Sequence, residues 1–427
     1  MAPARLEKRD LAPRPLRERS IVLGIGGGAA VPRAWTCLRE LGRMGIETTL
    51  LAASGALRAA TAEGLRTWAA EVSGRSRSSD AALRPPHVWT DPVALSAHLE
   101  GGGRLRGDAL AVLGATPDLI GRIAKGIPGD PISLAALSWG GPVLVERDPA
   151  ARGSYVVDNS GRLAEWGWRL LDAAPGGSSL EEAADPFLDG LVRLLLDGEA
   201  GCPVLVTAGP TREPIDPVRY LSNRSSGRMG FAVARAARDR GHRVTLVAGP
   251  DLGITCPHGV DKITVETADD MSRAVRARHM DHPILVMAAA VADYRPSSYS
   301  EVKIRRDRAT RQMNLEANPD ILASLRDERR ALVTVGFAIE GGLDGEALRG
   351  ARKKLESKGL SFIVLNDPQR PDSAFGGPTT RVRILRSSPR DADLEVDELP
   401  TMSKDDLGRE VIRRAVTMLA ARNGIRI

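Results

Sequence analysis

Short apolar runs alternating with amphipathic stretches, from residue 20 almost to the C-terminus, constrain this chain more than any other feature. A continuous apolar run bounded by glycine or proline marks a strand buried on both faces, and helices must then cover both faces of its sheet. In the first half the pattern predicts strands at Ser20–Leu23, Thr48–Ala52, Ala109–Leu113 and Pro142–Glu146. Helices are predicted after the first strand through Leu41, over Pro117–Ala124 and over Glu181–Leu196. In the second half strands are predicted at Val204–Val206, Arg243–Val247, Lys262–Val265, Ile284–Met287, Leu332–Val335 and Phe362–Leu365. The helices there are Met229–Arg240, Asp270–His279, Pro319–Asp327, Gly345–Ser357 and Lys404–Ala421, the last with Ser403 as N-cap and acidic residues in its first turn. The fold class is therefore α/β, with two doubly wound parallel-sheet domains.

At 427 residues the chain is long enough for two such domains, each of roughly 200 residues with its own core. Residues 1–19 are polar and rich in Arg and Pro, and read as a flexible arm. Residues 20–200 and 201–427 read as the two domains, joined through Asp197-Gly198-Glu199-Ala200-Gly201. All 6 tryptophans precede residue 170, which points to two distinct modules. The segment Pro149–Ser179 has little periodicity. No apolar run approaches the ~18 residues of a membrane span, and no charged-then-apolar leader is present, so neither a membrane nor secretion is indicated. Cys37, Cys202 and Cys256 lie far apart with no CxxC pair. Their odd number argues against a disulfide framework or a zinc site and fits a reducing cytoplasm. The net charge of +6 comes mostly from arginines scattered on helices that also carry Asp and Glu. That is a solvated surface rather than a nucleic-acid footprint, and a basic pocket for a phosphorylated substrate is a better use of the excess.

The densest chemical signal is Thr207-Ala208-Gly209-Pro210-Thr211-Arg212-Glu213, continuing through Asp216-Pro217-Val218-Arg219 to Ser222-Asn223-Arg224-Ser225-Ser226-Gly227-Arg228-Met229-Gly230. A long polar loop leaves the carboxyl end of a buried strand and closes on Ser-Ser-Gly at a helix start. Backbone N–H groups, two hydroxyls and the positive helix end make an anion site there, where open α/β sheets place ligands. Ser-Ser-Gly alone is equally an ordinary capped turn. Next, Met287-Ala288-Ala289-Ala290-Val291-Ala292-Asp293-Tyr294 offers small residues that let a flat base approach the backbone, with Asp293 for ribose hydroxyls or Mg²⁺-bound water; alone it is equally a buried helix start. Residues 296–316, with Ser297, Ser298, Ser300 and Lys303-Ile304-Arg305-Arg306, form a basic aperiodic segment that reads as a closing lid or as a solvated loop. Asn318-Pro319-Asp320-Ile321 opens a helix and can be pure capping; Phe337 ends a strand. Lys354 and Lys358 lie one turn apart, either pinching a triphosphate or forming an exposed face.

Together these pieces resemble the phosphopantothenoylcysteine synthetase domain of the bifunctional coenzyme A biosynthesis flavoprotein family, nearly end to end over residues 203–421. The resemblance implies a Rossmann-like C-terminal domain that ligates 4'-phosphopantothenate to cysteine through an acyl-cytidylate, with CTP as substrate and Mg²⁺ on its phosphates. It assigns Asn223 to the step in which cysteine meets the acyl-cytidylate, with Arg219, Ser225, Ser226 and Gly227 around the substrate. It assigns CTP contacts to Met287, Ala288, Ala289, Asp293, Lys303, Asn318, Pro319, Asp320, Ile321, Phe337, Lys354 and Lys358. Lys303 also acts in catalysis. The sequence here reads Lys-Ile-Arg-Arg where Lys-Ile-Lys-Lys is common in the family, and the leading lysine is kept. The resemblance implies a homo-oligomer with phosphopantothenate and cysteine as its small-molecule partners, and the cysteine usage implies a cytoplasmic one.

The same resemblance makes the first domain flavodoxin-like, with a residual flavin site at Gly26, Gly27, Gly28 and His98, although the Gly-rich turn is shared by many nucleotide folds and His98 is equally a surface helix histidine. Gly114-Ala115-Thr116-Pro117-Asp118 resembles the family's Pro-Ala-Ser/Thr run. Two decarboxylase parts are missing. Glu146-Arg147-Asp148-Pro149-Ala150-Ala151 stands where Pro-Ala-Met-Asn is expected, and no cysteine lies between Cys37 and Cys202 to serve as the substrate-clamp cysteine. Cys202 abuts the first strand of the second domain and cannot replace it. The expectation is a degenerate decarboxylase domain, doubtful as an FMN binder. The alternatives are a fully bifunctional enzyme with rewired residues, and a non-catalytic nucleotide-binding regulatory subunit.

Overall fold

A computed structural model describes residues 6–53, 56, 88–149, 151–173, 180–197, 201–250, 253–305, 312–326, 328, 333–339, 345–366, 379–387 and 394–426. Ala150, Arg306 and the linker residues 198–200 lie outside the described residues. The chain divides into two compact units, Arg14–Glu199 and Ala200–Ile427, the latter joined by the start of the chain up to Pro13.

In the first unit six strands form one parallel sheet: β1 (Ser20–Ile25), β2 (Glu47–Ala52), β3 (Val88–Trp89), β4 (Ala109–Ala115), β5 (Val143–Arg147) and β6 (Arg169–Asp172). Their order is β3-β2-β1-β4-β5-β6. Without the two-residue edge strand β3 this is the flavodoxin order, so the expected core is present with one strand added. Val22, Val112 and Val145 meet helices Pro117–Ala124, Pro131–Ser138 and Ser154–Glu165 through Leu119, Ile132 and Val156. Helix Leu180–Leu196 packs on β4, β5 and helix Val31–Arg43.

The second unit carries β7 (Gly201–Ala208), β8 (His242–Ala248), β9 (Val260–Thr264), β10 (Ile284–Met287), β11 (Val333–Ile339), β12 (Phe362–Asn366), β13 (Val382–Ser387) and β14 (Leu394–Glu398). Their order is β9-β8-β7-β10-β11-β12-β13-β14. The first six are parallel in the Rossmann order, and the expectation of a wholly parallel sheet is corrected by the last two, which run antiparallel. Alternation along β7 divides the core: Val204, Val206 and Ala208 pack with helices Arg228–Asp239 and Lys404–Arg422, while Leu205 faces the opposite cluster with Met271, Ala351 and Leu355.

The described part of the expected arm is not free. Leu11, in the helix Lys8–Leu11, lies in the second unit's core, and Leu16 is wholly buried in the first unit. Two leucines on a polar stretch supply apolar surface whose burial offsets the chain entropy of ordering it.

Candidate functional site

In the second unit the strand order reverses between β7 and β10, the switch point at which an open α/β sheet presents its ligand crevice. The two strands end in register, Thr207 opposite Met287. Beyond that point the loops stay side by side. The Thr207 hydroxyl accepts from the Ala289 N–H at 3.2 Å, the Gly209 carbonyl from the Ala290 N–H at 2.9 Å, and the Thr211 hydroxyl from the Ala292 N–H at 3.0 Å. Thr207 and Thr211 are both 0% exposed, so these bonds are shielded from water. Both threonines lie in the run that carries the densest sequence signal, but no role is assigned to either from sequence alone.

Asn223 crosses the crevice. Its Nδ2 donates to the carbonyls of Val291 at 3.0 Å and Ala290 at 3.4 Å, so the Ser-Ser-Gly loop and the alanine loop meet. Gly227 then adopts φ 70° and caps helix Arg228–Asp239, with its N–H on the Ser225 hydroxyl at 3.3 Å. A Cβ on Gly230 would lie 2.5 Å from that of Ala208, so only glycine lets this helix start press against β7. Ser226 is half-buried on the same turn. Glu213 has a structural use: its buried carboxylate accepts from the Ala268 N–H at 2.9 Å and caps helix Ala268–Arg276.

The Lys303 segment is fastened to the turn at 215–219. Ser300 N–H bonds to the Ile215 carbonyl at 3.1 Å, Ile304 N–H to Asp216 Oδ2 at 3.1 Å, and Arg219 Nη2 to the Ile304 carbonyl at 3.0 Å. Asp216 also accepts from the N–H groups of Val218 and Arg219. Burial pushes the Asp216 carboxyl up, but its three N–H donors and the Arg219 guanidinium outweigh this and hold it below the ordinary carboxylate range. Arg219, expected beside the substrate, therefore spends hydrogen bonds on the segment that carries exposed Lys303.

The remaining nucleotide candidates lie at the end of β10, on the loop after it and on the elements that follow. Met287 is buried, and Ala288 and Ala289 are half-buried at the start of the loop. Asn318 Nδ2 donates to the Ala292 carbonyl at 2.9 Å, and its N–H to that of Asp293 at 2.8 Å. The helix predicted at Pro319–Asp327 is confined to Ile321–Ser324, because Asp320 serves as its N-cap and Pro319 stays outside. Asp320 Oδ2 meets Lys358 Nζ at 2.9 Å. Burial raises the Asp320 pKa, but the Ala323 N–H and Lys358 more than offset it and leave it lowered. Lys354 is half-buried on helix Gly345–Ser357, and Phe337 is half-buried in β11. Among the described residues no group of His, Cys, Asp and Glu could hold a metal ion.

Residues 199–419 match the family described as the DNA/pantothenate metabolism flavoprotein C-terminal domain. The coenzyme A biosynthesis bifunctional protein CoaBC of Vibrio vulnificus (strain CMCP6) is 33% identical over 95% of this chain and 99% of that relative. The protein of the same name from Mycobacterium tuberculosis (strain ATCC 25618 / H37Rv) is 36% identical over 82% of this chain and 86% of that relative. The chain belongs to the CoaBC family. A crystal structure of the C-terminal domain of a CoaBC protein is 36% identical, covering 52% of this chain and 97% of that one, with a TM-score of 0.43.

The residues expected to form a CoaBC flavin site do not all meet in the first unit. Gly26, Gly27 and Gly28 follow β1 and abut the end of β4: a Cβ on Gly26 would lie 2.7 Å from the Gly114 carbonyl oxygen, and one on Gly27 3.1 Å from the Thr116 methyl. His98 lies elsewhere. Its ring stacks on Trp89 of the edge strand β3 at 5.1 Å, on helix Pro92–Glu100. At the crevice stand Arg33 and Glu146, which form a two-pronged ion pair at 2.7 and 2.8 Å. Burial raises the Glu146 pKa despite Arg33, and burial, then Glu146, pushes the Cys37 thiol up to about 12. Cys37 is therefore an inert core thiol.

Among the described residues no helix is long and apolar enough to cross a membrane.

Proposed function

We propose that the second unit joins 4'-phosphopantothenate to cysteine through an acyl-cytidylate made from CTP, and that the first unit no longer decarboxylates the product. The observation that carries the ligase reading is Asn223, whose amide ties the anion-binding loop to the alanine loop across one switch-point crevice. A free carboxylate is a poor acyl donor, so the reaction needs activation. The substrate carboxylate attacks the α-phosphate of CTP and pyrophosphate leaves; the cysteine amine then attacks the acyl carbon, losing a proton as CMP leaves. The helix start at Gly227, with Ser225 and Ser226, suits an anionic group. Met287 to Ala289 leave room for a base, and Lys303 offsets charge on the phosphates as they separate. Asp293 would offer a carboxylate to the water shell of Mg²⁺ carried by CTP, an ion that would supply neutralisation of phosphate charge.

The first unit lacks the asparagine motif and the clamp cysteine, so positioning of the carboxylate and delivery of a proton are both unprovided. General acid catalysis alone is typically worth about 10²–10⁴-fold. Family membership over both halves leaves a bifunctional enzyme as the rival reading. In the second unit, exposed Val218, Tyr220, Tyr294 and Leu315, on or beside the antiparallel pairs Arg212–Pro214 with Tyr220–Ser222 and Tyr294–Pro296 with Leu315–Ala317, support a homo-oligomer; light scattering tests it. Free Cys37, Cys202 and Cys256 suit a reducing, cytoplasmic setting.

The test is direct. Full-length protein with phosphopantothenate, cysteine, Mg²⁺ and CTP should yield phosphopantothenoylcysteine, CMP and pyrophosphate by mass; no amide refutes the ligase. Given phosphopantothenoylcysteine and FMN it should release no phosphopantetheine; efficient release puts the bifunctional enzyme first.

A further inference from the structure

The first unit repeats the switch-point geometry of the second, with the order reversing between β1 and β4. Its crevice, however, holds a different chemistry. Arg33, from the first turn of the helix after β1, reaches over the end of β4: its Nη2 would lie 3.7 Å from a Cβ on Gly114. It ends on Glu146 of β5, with both carboxylate oxygens within 2.8 Å. The side chains are 11% and 2% exposed, so the pair is out of water and spans the ends of the strands where a ligand would sit. A second carboxylate lies close by, with Asp148 Oδ2 3.8 Å from a Cβ on Gly27. The Gly26 N–H is committed to the Leu113 carbonyl at 2.9 Å.

We infer that the Arg33–Glu146 ion pair takes the place of a phosphate-bearing cofactor at this crevice, so that the first unit folds as a ligand-free scaffold and takes up neither FMN nor inorganic phosphate. A phosphate approaching the glycine loop meets the Glu146 and Asp148 carboxylates. To recruit Arg33 it must strip Glu146 of its guanidinium and leave the buried carboxylate with only the Gly114 N–H, which is the costly way to open such a pair. The donors of a flavin-phosphate site and the acceptors present here do not fit each other. This extends the reading that the first unit has no decarboxylase activity. Its test is read by binding and melting rather than turnover, so the two can fail separately.

Full-length protein made in flavin-replete cells should show no 450 nm flavin band, and it should not quench FMN fluorescence at tens of micromolar FMN. Glu146→Gln should lower the melting temperature of this unit by on the order of 10 °C, because it removes the carboxylate that Arg33 meets at two points out of water. The double variant Arg33→Met/Glu146→Leu, which removes both charges, should recover most of that loss and keeps the test open if the single variant fails to fold. Near-stoichiometric flavin on the wild-type protein overturns the inference. So does a Glu146→Gln variant that melts with the wild type, or a double variant no better than an unfolded single one.

Discussion

Thr211→Val removes one hydroxyl and little else, and it tests whether the loops after β7 and β10 must be held together for the chemistry. The Thr211 hydroxyl accepts from the Ala292 N–H at 3.0 Å, with Thr211 0% and Ala292 4% exposed. Valine leaves that N–H without an acceptor and without access to water. Stranding a buried donor costs about 1–3 kcal/mol, so a loss near ~2 kcal/mol is expected. In a domain of roughly 200 residues that lowers the melting temperature by about 4–8 °C. If the same energy is withdrawn from the active arrangement, turnover falls about 30-fold. Thr211→Ser keeps the acceptor and gives up one methyl, worth about 0.8 kcal/mol, so it should retain turnover. The assays are CTP-dependent pyrophosphate release and thermal melting of all three proteins. A valine variant with wild-type turnover would show that the stitch is dispensable, and a serine variant as damaged as the valine one would move the cause from hydrogen bonding to packing.

Asn223→Asp exchanges a donor facing the Ala290 and Val291 carbonyls for a carboxylate that repels them. Pyrophosphate release should continue while amide formation stalls, with acyl-cytidylate visible by mass; a normal amide yield removes Asn223 from the second step. Lys303→Gln should lower turnover about 100-fold with little change in CTP affinity, since a cation aimed at separating phosphates acts mainly in the transition state; unchanged turnover reduces the residue to a surface lysine. Burial holds the His242 pKa down to about 4, against 6.5 for a free histidine. Its protonation therefore costs nothing above pH 6.5, and stability falls as pH drops from there toward 4, by up to about 3 kcal/mol. Urea midpoints of the wild type and a His242→Gln variant should converge across that window, and a constant gap between them refutes the assignment.

Where a segment's neighbours are dictated by its own composition, its structure was legible in advance. Ile284–Met287 is apolar on both faces and bounded by Pro283 and a run of alanines, and β10 has those limits. Helix Ser154–Glu165 was missed because Asn159 and Ser160 share its buried face with Val156 and Leu163, which breaks the apolar period. β13 and β14 were missed for a related reason: as the antiparallel edge of the sheet they alternate with charged residues instead of forming continuous apolar runs. Residue types at the candidate site were legible from the loops, but their partners were not. Ile304 bonds to Asp216 and Arg219 across 88 and 85 positions, a pairing that only the folded sheet creates. His98 had a plausible place in the sequence, yet its ring lies beside that of Trp89 on the edge strand, the centroids 5.1 Å apart and the planes tilted by 40°.

The two units place different side chains across crevices of one topology. Both reverse strand order after their first strand, and both bring small residues to the crevice that results. In the second unit the loops are joined by threonine hydroxyls, an asparagine amide and backbone carbonyls, and also by the Asp216 carboxylate and the Arg219 guanidinium, both on Ile304. These bonds fix the spacing of the loops, and no side chain caps the positive helix start at Gly227. In the first unit the equivalent span is bridged by a carboxylate and a guanidinium that satisfy one another. Such a bridge stabilises the crevice only while it stays closed, since a ligand must break a buried pair before it can make its own contacts. Anion binding at a switch point thus depends on whether the side chains spanning it satisfy one another as well as on the glycines that shape the loop. Asn223→Asp and Glu146→Gln test this from opposite sides: the first puts a negative charge into the crevice proposed to take an anion, and the second takes one out of the crevice proposed to hold no ligand.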